Sequence, residues 1–517
     1  MPKDPSSQFA DSQSGGILHP PGHQAAVPGQ REWFGHPRGL STLFFTEMWE
    51  RFSYYGMRAI LILYMTAAAT GANPGLGFED SRAAAIYGLY TGMVYLMALP
   101  GGWVADKLWG LRKSVFVGGC IIAAGHFSLA VPSMPTFYLG LLLIVIGTGL
   151  LKPNVSAIVG DLYPEGGARR DAGYSVYYMG INLGGFLGPL LVGFFGEGYN
   201  WHWGFSLAGI GMVLGLIQYR LGMRHLGTAG MREADEPVTL ARRVRNFYLT
   251  MGLVGVVAIV VVFLATAGMI PVGLQQIARG LGVGIVILAI LYFAYLLFAG
   301  GHTTIEKKRL LVIFWLFLLA ALFWSGFEQA GSSLNLFAER MTDRVFFGWE
   351  APASWLQSVN SLFIIILAPV FGSLWTWLAY RKANPSIPVK FGLGLLGLAA
   401  GFFVLVWGAA NASAENPVSP SWLVVTYFLH TVGELALSPV GLSSISKLAP
   451  RNRLGQMMGV WFIASALGNL IAGLVAGQIE TLPPADLFRT VALIVGGAGI
   501  VALVVSPGIK KLMGGVE

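Results

Sequence analysis

The chain has 517 residues, 55% of them hydrophobic and only 11% charged, with a mean hydropathy of +0.65, which excludes a soluble globular protein of this length. Its formal net charge of +8 comes from Lys and Arg scattered through short loops, so it does not point to nucleic acid. The single Cys120 in an apolar run excludes a disulfide framework, and the composition is that of an all-α polytopic membrane protein.

Residues 1–38 are polar and rich in Gly, Pro, Ser and Gln, without the apolar run of a signal peptide. They are expected to form a disordered cytoplasmic tail. Apolar runs long enough to cross roughly 30 Å of hydrocarbon then recur. The expected spans are 39–66, 80–106, 113–132, 136–160, 172–195, 203–222, 247–269, 277–300, 310–337, 354–380, 390–410, 420–448, 455–480 and 487–511, fourteen in all. Basic residues cluster after the even-numbered spans, at Lys107, Arg112 and Lys113, Arg169 and Arg170, Arg220 to Arg245, Lys307 to Arg309, Arg381, Lys382 and Lys390, and Lys447 to Arg453. Both termini are therefore expected in the cytoplasm, the chain crossing the cell membrane many times.

The charged stretch 223–246 reads as a linker on the cytoplasmic surface. Spans seven and eight carry no charge in their apolar cores and are expected at the periphery, facing lipid. Setting them aside leaves a six-helix bundle over 39–222, a linker with two extra helices over 223–309, a second six-helix bundle over 310–511 and a short tail at 512–517. LPGGWVADKLWGLRK (99–113) has a faint counterpart in LAPVFGSLWTWLAYRK (367–382). That echo agrees with the parallel halves of the major facilitator superfamily, whose substrate site lies at the midplane between the bundles.

The first span breaks the apolar rule. TEMWERFSYYGMR (46–58) places Glu47, Glu50, Arg51 and Arg58 inside it, with Glu47, Arg51 and Arg58 on one face beside Tyr54 and Tyr55. At about 2.5 to 3.5 kcal/mol for each mid-bilayer charge, the four oppose insertion by about 10 kcal/mol, so this helix must face protein or water. Elsewhere ionisable groups at membrane depth are few: Lys152 in GTGLLKPN, Glu328 in FWSGFEQAGSSL and Glu434 in HTVGELALSPVG. A static ion pair that fixes helix packing is the bland alternative. Acidic and basic groups in both halves permit instead pairs that form and break across the bundle interface, with protonation of a carboxylate as the switch.

Tyr54, Tyr55, Tyr87, Tyr90, Tyr177 and Tyr178 offer aromatic surface with a hydroxyl, and Asn182 and Asn360 an amide that donates and accepts. His430 is expected to pack rather than titrate. Gly102, Asp106 and Gly110, with Arg112 and Lys113, read as a hinge at a cytoplasmic turn, with Asp106 accepting from Arg112 or from a helix N-terminus. No Walker sequence, metal-ligand cluster or nucleophile elbow is present, so neither enzymatic hydrolysis nor primary active transport is indicated, and no cofactor or metal is expected.

E-x-x-E-R at Glu47 to Arg51, K-P-N at Lys152 to Asn154, GYSVYYMGINLGG (173–185), FEQAGSSL (327–334) and GELALSPVG (433–441) together resemble signatures of the proton-dependent oligopeptide transporter family of the major facilitator superfamily. The likeness runs from about 39 to 511, and the extra helix pair is similar to that of bacterial members. The resemblance implies a proton-coupled symporter of di- and tripeptides working as a monomer in the lipid bilayer. It implies that Arg51 and Lys152 hold the peptide carboxylate and that Glu434, Asn182 and Asn360 engage its amino terminus. Tyr54, Tyr55, Tyr90, Trp324, Ser438 and Trp461 complete the substrate site. Glu47, Glu50 and Glu328 become proton sites with Arg51, Arg58 and Lys152 in the coupling and gating set, Arg58 pairing with Glu328 and Lys152 with Glu434. A nitrate or small-anion transporter of the same fold, a proton-driven drug exporter and a non-transporting receptor or scaffold are the alternatives.

Overall fold

The computed structural model describes residues 32–165, 167–231, 241–253, 256, 273–450 and 453–516. Thirteen span-length helices lie among them: α1 Gly39–Thr66, α2 Asp80–Trp109, α3 Leu111–Leu129, α4 Met134–Asp161, α5 Gly167–Gly198, α6 Trp201–Gly222, α7 Leu274–Phe298, α8 Thr304–Met341, α9 Ser358–Tyr380, α10 Ile387–Ala410, α11 Ser421–Leu448, α12 Leu454–Ala476 and α13 Pro484–Leu512. A two-residue hairpin, Val345–Phe346 with Trp349–Glu350, is the strand structure present among the described residues. The expected span 247–269 lies mostly outside the described residues; 241–253 is helical, and its Val244 and Phe247 pack on Val104, Leu108 and Leu150.

Length and composition alone qualify eleven of these helices as membrane spans, and α1 is not among them. Its four charges are tolerated because the helix is enclosed: Glu47, Glu50, Arg51 and Arg58 are all buried, with α5 and α6 packed along it. Gly184 and Gly188 make that contact possible, since a Cβ on either would strike the α1 backbone near Met48 and Phe52.

Two helices depart from regularity. α2 ends in a π-helical turn, Ala105–Trp109, stopped by Gly110 at φ 79°. α8 breaks at Glu328–Gly331, a short 3-10 turn, before resuming at Ser333. Such a break frees backbone and side-chain groups at membrane depth and is tolerated only inside protein or along a cavity.

Within the first half α1 packs on α5 and α6, and α3 on α4; within the second, α10 packs on α11 and α13, and α8 on α12. The halves meet along two seams, α2 against α12 and α5 against α9. At the first seam Gly88 and Gly473 bring two backbones into contact. α7 touches α12, α2 and α8, yet only 17% of its most apolar stretch is buried, so most of it is exposed.

Between described residues, the hydrogen bonds and ion pairs joining the halves lie away from the basic loops. At this far end Arg340 donates twice to Asp80, at 2.6 and 2.8 Å, and Asn335 donates to the Ala59 carbonyl at 2.7 Å. Trp355 donates to the Leu190 carbonyl at 2.8 Å and Ser358 to the Phe186 carbonyl at 2.8 Å. Toward the basic end, Val370, Leu374, Trp377 and Tyr380 of α9 are exposed. The far end is closed, while α9 stands exposed toward the basic end.

Two expectations are corrected. The tail is not wholly outside the fold, because Trp33 and His36 close a turn whose imidazole meets the Tyr163 hydroxyl at 2.9 Å; residues 1–31 lie outside the described residues. Asp106 is exposed and does not bond Arg112. Arg112 instead donates to the carbonyls of Ala229 and Gly227, both at 2.6 Å, while Gly230 N donates to Asp161 at 3.0 Å, clamping the start of the linker to the basic end.

Candidate functional site

The site begins on α1. Arg51 Nε stands 3.0 Å from Glu47 Oε1 and 2.5 Å from Glu50 Oε2, so two buried carboxylates share one guanidinium. Lys152 of α4 lies within electrostatic reach of all three, which brings the cluster to two charges of each sign when every group is ionised. The Lys152 ammonium rests 4.3 Å from the centre of the Tyr95 ring. Asn154, two residues on, donates to the Leu150 carbonyl at 2.6 Å and reaches the Gly101 carbonyl at 3.4 Å, tying α4 to α2.

Two turns further along α1, Arg58 forms a buried ionic link between the halves. Its NH2 is 2.5 Å from Glu328 Oε2 at the break in α8, and its Nε donates to the Tyr87 hydroxyl at 2.5 Å. The rings of Tyr55 and Tyr87 flank it, each centred 5.8 Å away. Gly331 closes the same turn, and a Cβ there would collide with the Tyr87 hydroxyl and approach Arg58 Nε. Gly331→Ala is expected to displace Tyr87 and cut the uptake rate by about tenfold or more, the effect of losing roughly 1.4 kcal/mol of charge-assisted bonding. Uptake in proteoliposomes, with retention on gel filtration as the folding control, checks this.

On the second half Glu434 is buried in α11. Asn360 of α9 donates to Thr431 at 2.9 Å and toward Glu434 Oε2 at 3.4 Å, and Pro439 removes the helical bond to the Leu435 carbonyl one turn beyond. No described cation forms an ion pair with Glu434. Tyr178 and Tyr55 of the first half lie within electrostatic reach of it. The rings of Tyr55 and Tyr54 in turn flank the Arg51 guanidinium, centred 5.9 and 5.2 Å from it, with Tyr90 6.4 Å from Tyr54. A tyrosine surface thus runs from the Arg51 cluster toward Glu434.

The structure brings Arg51, Glu47 and Glu50 together, and Arg58 with Glu328. It does not bring Lys152 to Glu434, and that expected pair is absent from this state. Asn182 is turned back on its own helix, donating to the Tyr178 carbonyl at 2.9 Å. Trp324 is half-buried beside Phe327 at 5.4 Å, its indole N–H without a partner among the described residues. Ser438 is half-buried. Trp461 is committed to packing, its ring lying over Gly441 close to Phe391. His430 is enclosed by Phe402 at 4.8 Å and Phe327 at 6.4 Å.

The sequence reading missed Glu197. Its half-buried carboxylate accepts from the backbone N–H groups of Ala353 and Ser354 at 2.7 and 3.0 Å, capping the short helix Ala353–Gln357 of the other half. Nothing in FFGEGYN marks this, because the capped turn is more than 150 residues away.

A family model described as the POT family matches residues 112–489. The chain belongs to the POT family. It is 43% identical over 506 residues to the peptide transporter of Yersinia enterocolitica, covering 95% of this chain and 98% of that one. It is 38% identical over 494 residues to the di-/tripeptide transporter of Lactococcus lactis, covering 94% and 99%. A peptide transporter crystallised with sulfate superposes with a TM-score of 0.86 at 41% identity, covering 95% of this chain and 98% of that one. The fold is therefore the major facilitator fold of the POT transporters, an all-α membrane protein with about fourteen helices. In this POT chain the charged α1, the Lys152 turn and the break at Glu328 occupy the space between the two halves.

Proposed function

We propose that this chain imports di- and tripeptides together with protons, its halves rocking about a central site. The reading rests above all on one observation: among the described residues Lys152 of the first half and Glu434 of the second have no ion-pair partner of their own, and they lie on either side of a shared tyrosine surface. A zwitterionic peptide satisfies both, its carboxylate at Arg51 and Lys152 and its ammonium at Glu434, with Asn360 and Asn182 alongside. Reading the two ends of the backbone sets the length accepted, while Tyr54, Tyr55, Tyr90 and Trp324 tolerate varied side chains. A small-anion transporter has no use for Glu434 opposite the basic pole. The relatives named for peptide transport support the same reading.

In this account the protein works as a monomer with two six-helix bundles, the basic end and both termini being cytoplasmic. Closure of the far end is then the state open to the cytoplasm. Glu328 is the proton site that matters there. Protonating it removes the charge that holds Arg58 and loosens the far end; deprotonation restores the pair and closes that end. One proton crossing 100 mV is worth about 2.3 kcal/mol, enough for roughly a forty-fold gradient of a neutral zwitterion.

Uptake of dialanine by purified protein in liposomes, with and without an inward proton gradient, tests the proposal. Accumulation only with the gradient is expected, and no uptake under any gradient rejects it. Glu434→Gln exchanges a charge-assisted bond to the peptide ammonium for a neutral one and is expected to weaken dialanine binding about tenfold, measured by calorimetry on the purified protein.

A further inference from the structure

Outside the first bundle, at the basic end, α1 and α6 border a groove of about 510 Å³. Phe45, Leu214, Ile217 and Leu221 line it, and all four are exposed, Leu221 by 68%. Arg38 and Arg224 stand at its mouth beside His225, both close enough for their charges to act on the imidazole. Neither guanidinium forms an ion pair with a described carboxylate. The floor is firm: Thr42 donates to the Gly222 carbonyl at 3.2 Å and Thr46 to Gln218 at 3.1 Å, while Gly39 sits against the His225 carbonyl, where even a Cβ would clash.

This groove is separate from the peptide site. Arg38, Ser41, Phe45 and Trp49 share one stripe of α1, whereas Glu47, Arg51, Tyr54 and Arg58 share another, two residues and therefore about 200° away around the helix. An occupant must combine an apolar body that lies along a membrane-facing helix pair with an anion at the interface. A peptide lacks the first, and a free phosphate gains nothing from the four apolar walls.

We propose that this groove is a binding site for an anionic phospholipid of the leaflet at the basic end, its phosphate between Arg38 and Arg224 and one acyl chain along Phe45, Leu214, Ile217 and Leu221. Charge complementarity selects the headgroup. Phosphatidylglycerol presents the phosphate with no cation, whereas the choline of phosphatidylcholine sets a positive charge against two guanidinium groups and His225. By spanning α1 and α6 at their shared end, the lipid braces the helix that carries the Arg51 cluster.

The test is native mass spectrometry of the full-length protein in detergent, titrated with phosphatidylglycerol or phosphatidylcholine. The wild type is expected to retain one phosphatidylglycerol more tightly than phosphatidylcholine. R38Q/R224Q is expected to bind phosphatidylglycerol about twenty-five-fold more weakly, at about fivefold for each arginine near an anionic headgroup, with phosphatidylcholine unchanged. Ile217→Trp fills the groove and keeps both charges, and it is expected to weaken phosphatidylglycerol too, so either variant decides the matter if the other does not fold. Equal retention of the two lipids by the wild type, unchanged phosphatidylglycerol binding in the variants, or displacement of the lipid by an equal concentration of inorganic phosphate would overturn the proposal.

Discussion

Lys152→Ala is expected to abolish gradient-driven dialanine uptake while leaving the protein folded. In the far-end-closed state the ammonium rests against the Tyr95 ring and no described carboxylate lies within ion-pair distance, so removing it breaks no pair among the described residues. What disappears is the cation that meets the peptide carboxylate and that balances Glu47 and Glu50 around Arg51. A charge-assisted bond of about 2 kcal/mol corresponds to roughly thirty-fold in peptide affinity. The pair of buried carboxylates left around a single guanidinium adds a further penalty. Proteoliposome uptake with a pH step and an imposed potential measures the first effect. Dialanine calorimetry separates binding from transport. Normal uptake by Lys152→Ala would remove the cation pole from the account.

Glu328→Gln carries the second large effect and splits two activities that a merely structural residue would lose together. The amide mimics the protonated carboxyl, so Arg58 keeps its bond to Tyr87 and loses its ionic partner. Breaking a buried pair by neutralising one member costs about 3 kcal/mol or more of the closed far end. The halves can still exchange positions, but no proton is gained or lost in the cycle. Concentrative uptake driven by a proton gradient is therefore expected to fall about tenfold or more, while counterflow exchange of labelled against unlabelled dialanine retains about half its rate or better. Equal loss of both would make the pair a structural lock.

The readable part of this molecule was the conflict between charge and oil. Glu47, Glu50, Arg51 and Arg58 fail every test for an ordinary membrane span, and that failure marks α1 as the helix enclosed by α5 and α6. The Arg58 link to Glu328 was implied by the family resemblance and is present in the structure. Other contacts were not legible, for identifiable reasons. The partner of Lys152 depends on which state is populated, so no spacing in the chain encodes it. Trp461 looks like a cavity aromatic until Gly441 is found beneath its ring. Asp106 and Arg112 are close in sequence, yet Arg112 is taken by the carbonyls of Gly227 and Ala229. Glu197 and Arg340 sit at span ends, where charge is common, and acquire meaning only from Ala353, Ser354 and Asp80 across the seam.

The exchange of partners at Glu328 as the halves rock is tested most directly by the separation of the halves at the far end. Glu79 and Thr481 are exposed there, next to Ser81 and Glu480, which bond across the seam at 3.3 Å. Spin labels at Glu79→Cys and Thr481→Cys, on a Cys120→Ser background because Cys120 is exposed, report that separation by pulsed electron resonance. A single short distance is expected at neutral pH without peptide, and a second, longer one in acid with dialanine. Glu328→Gln is expected to show the longer distance already at neutral pH. One unchanged distance under all these conditions, in a protein that still accumulates dialanine, would contradict the account.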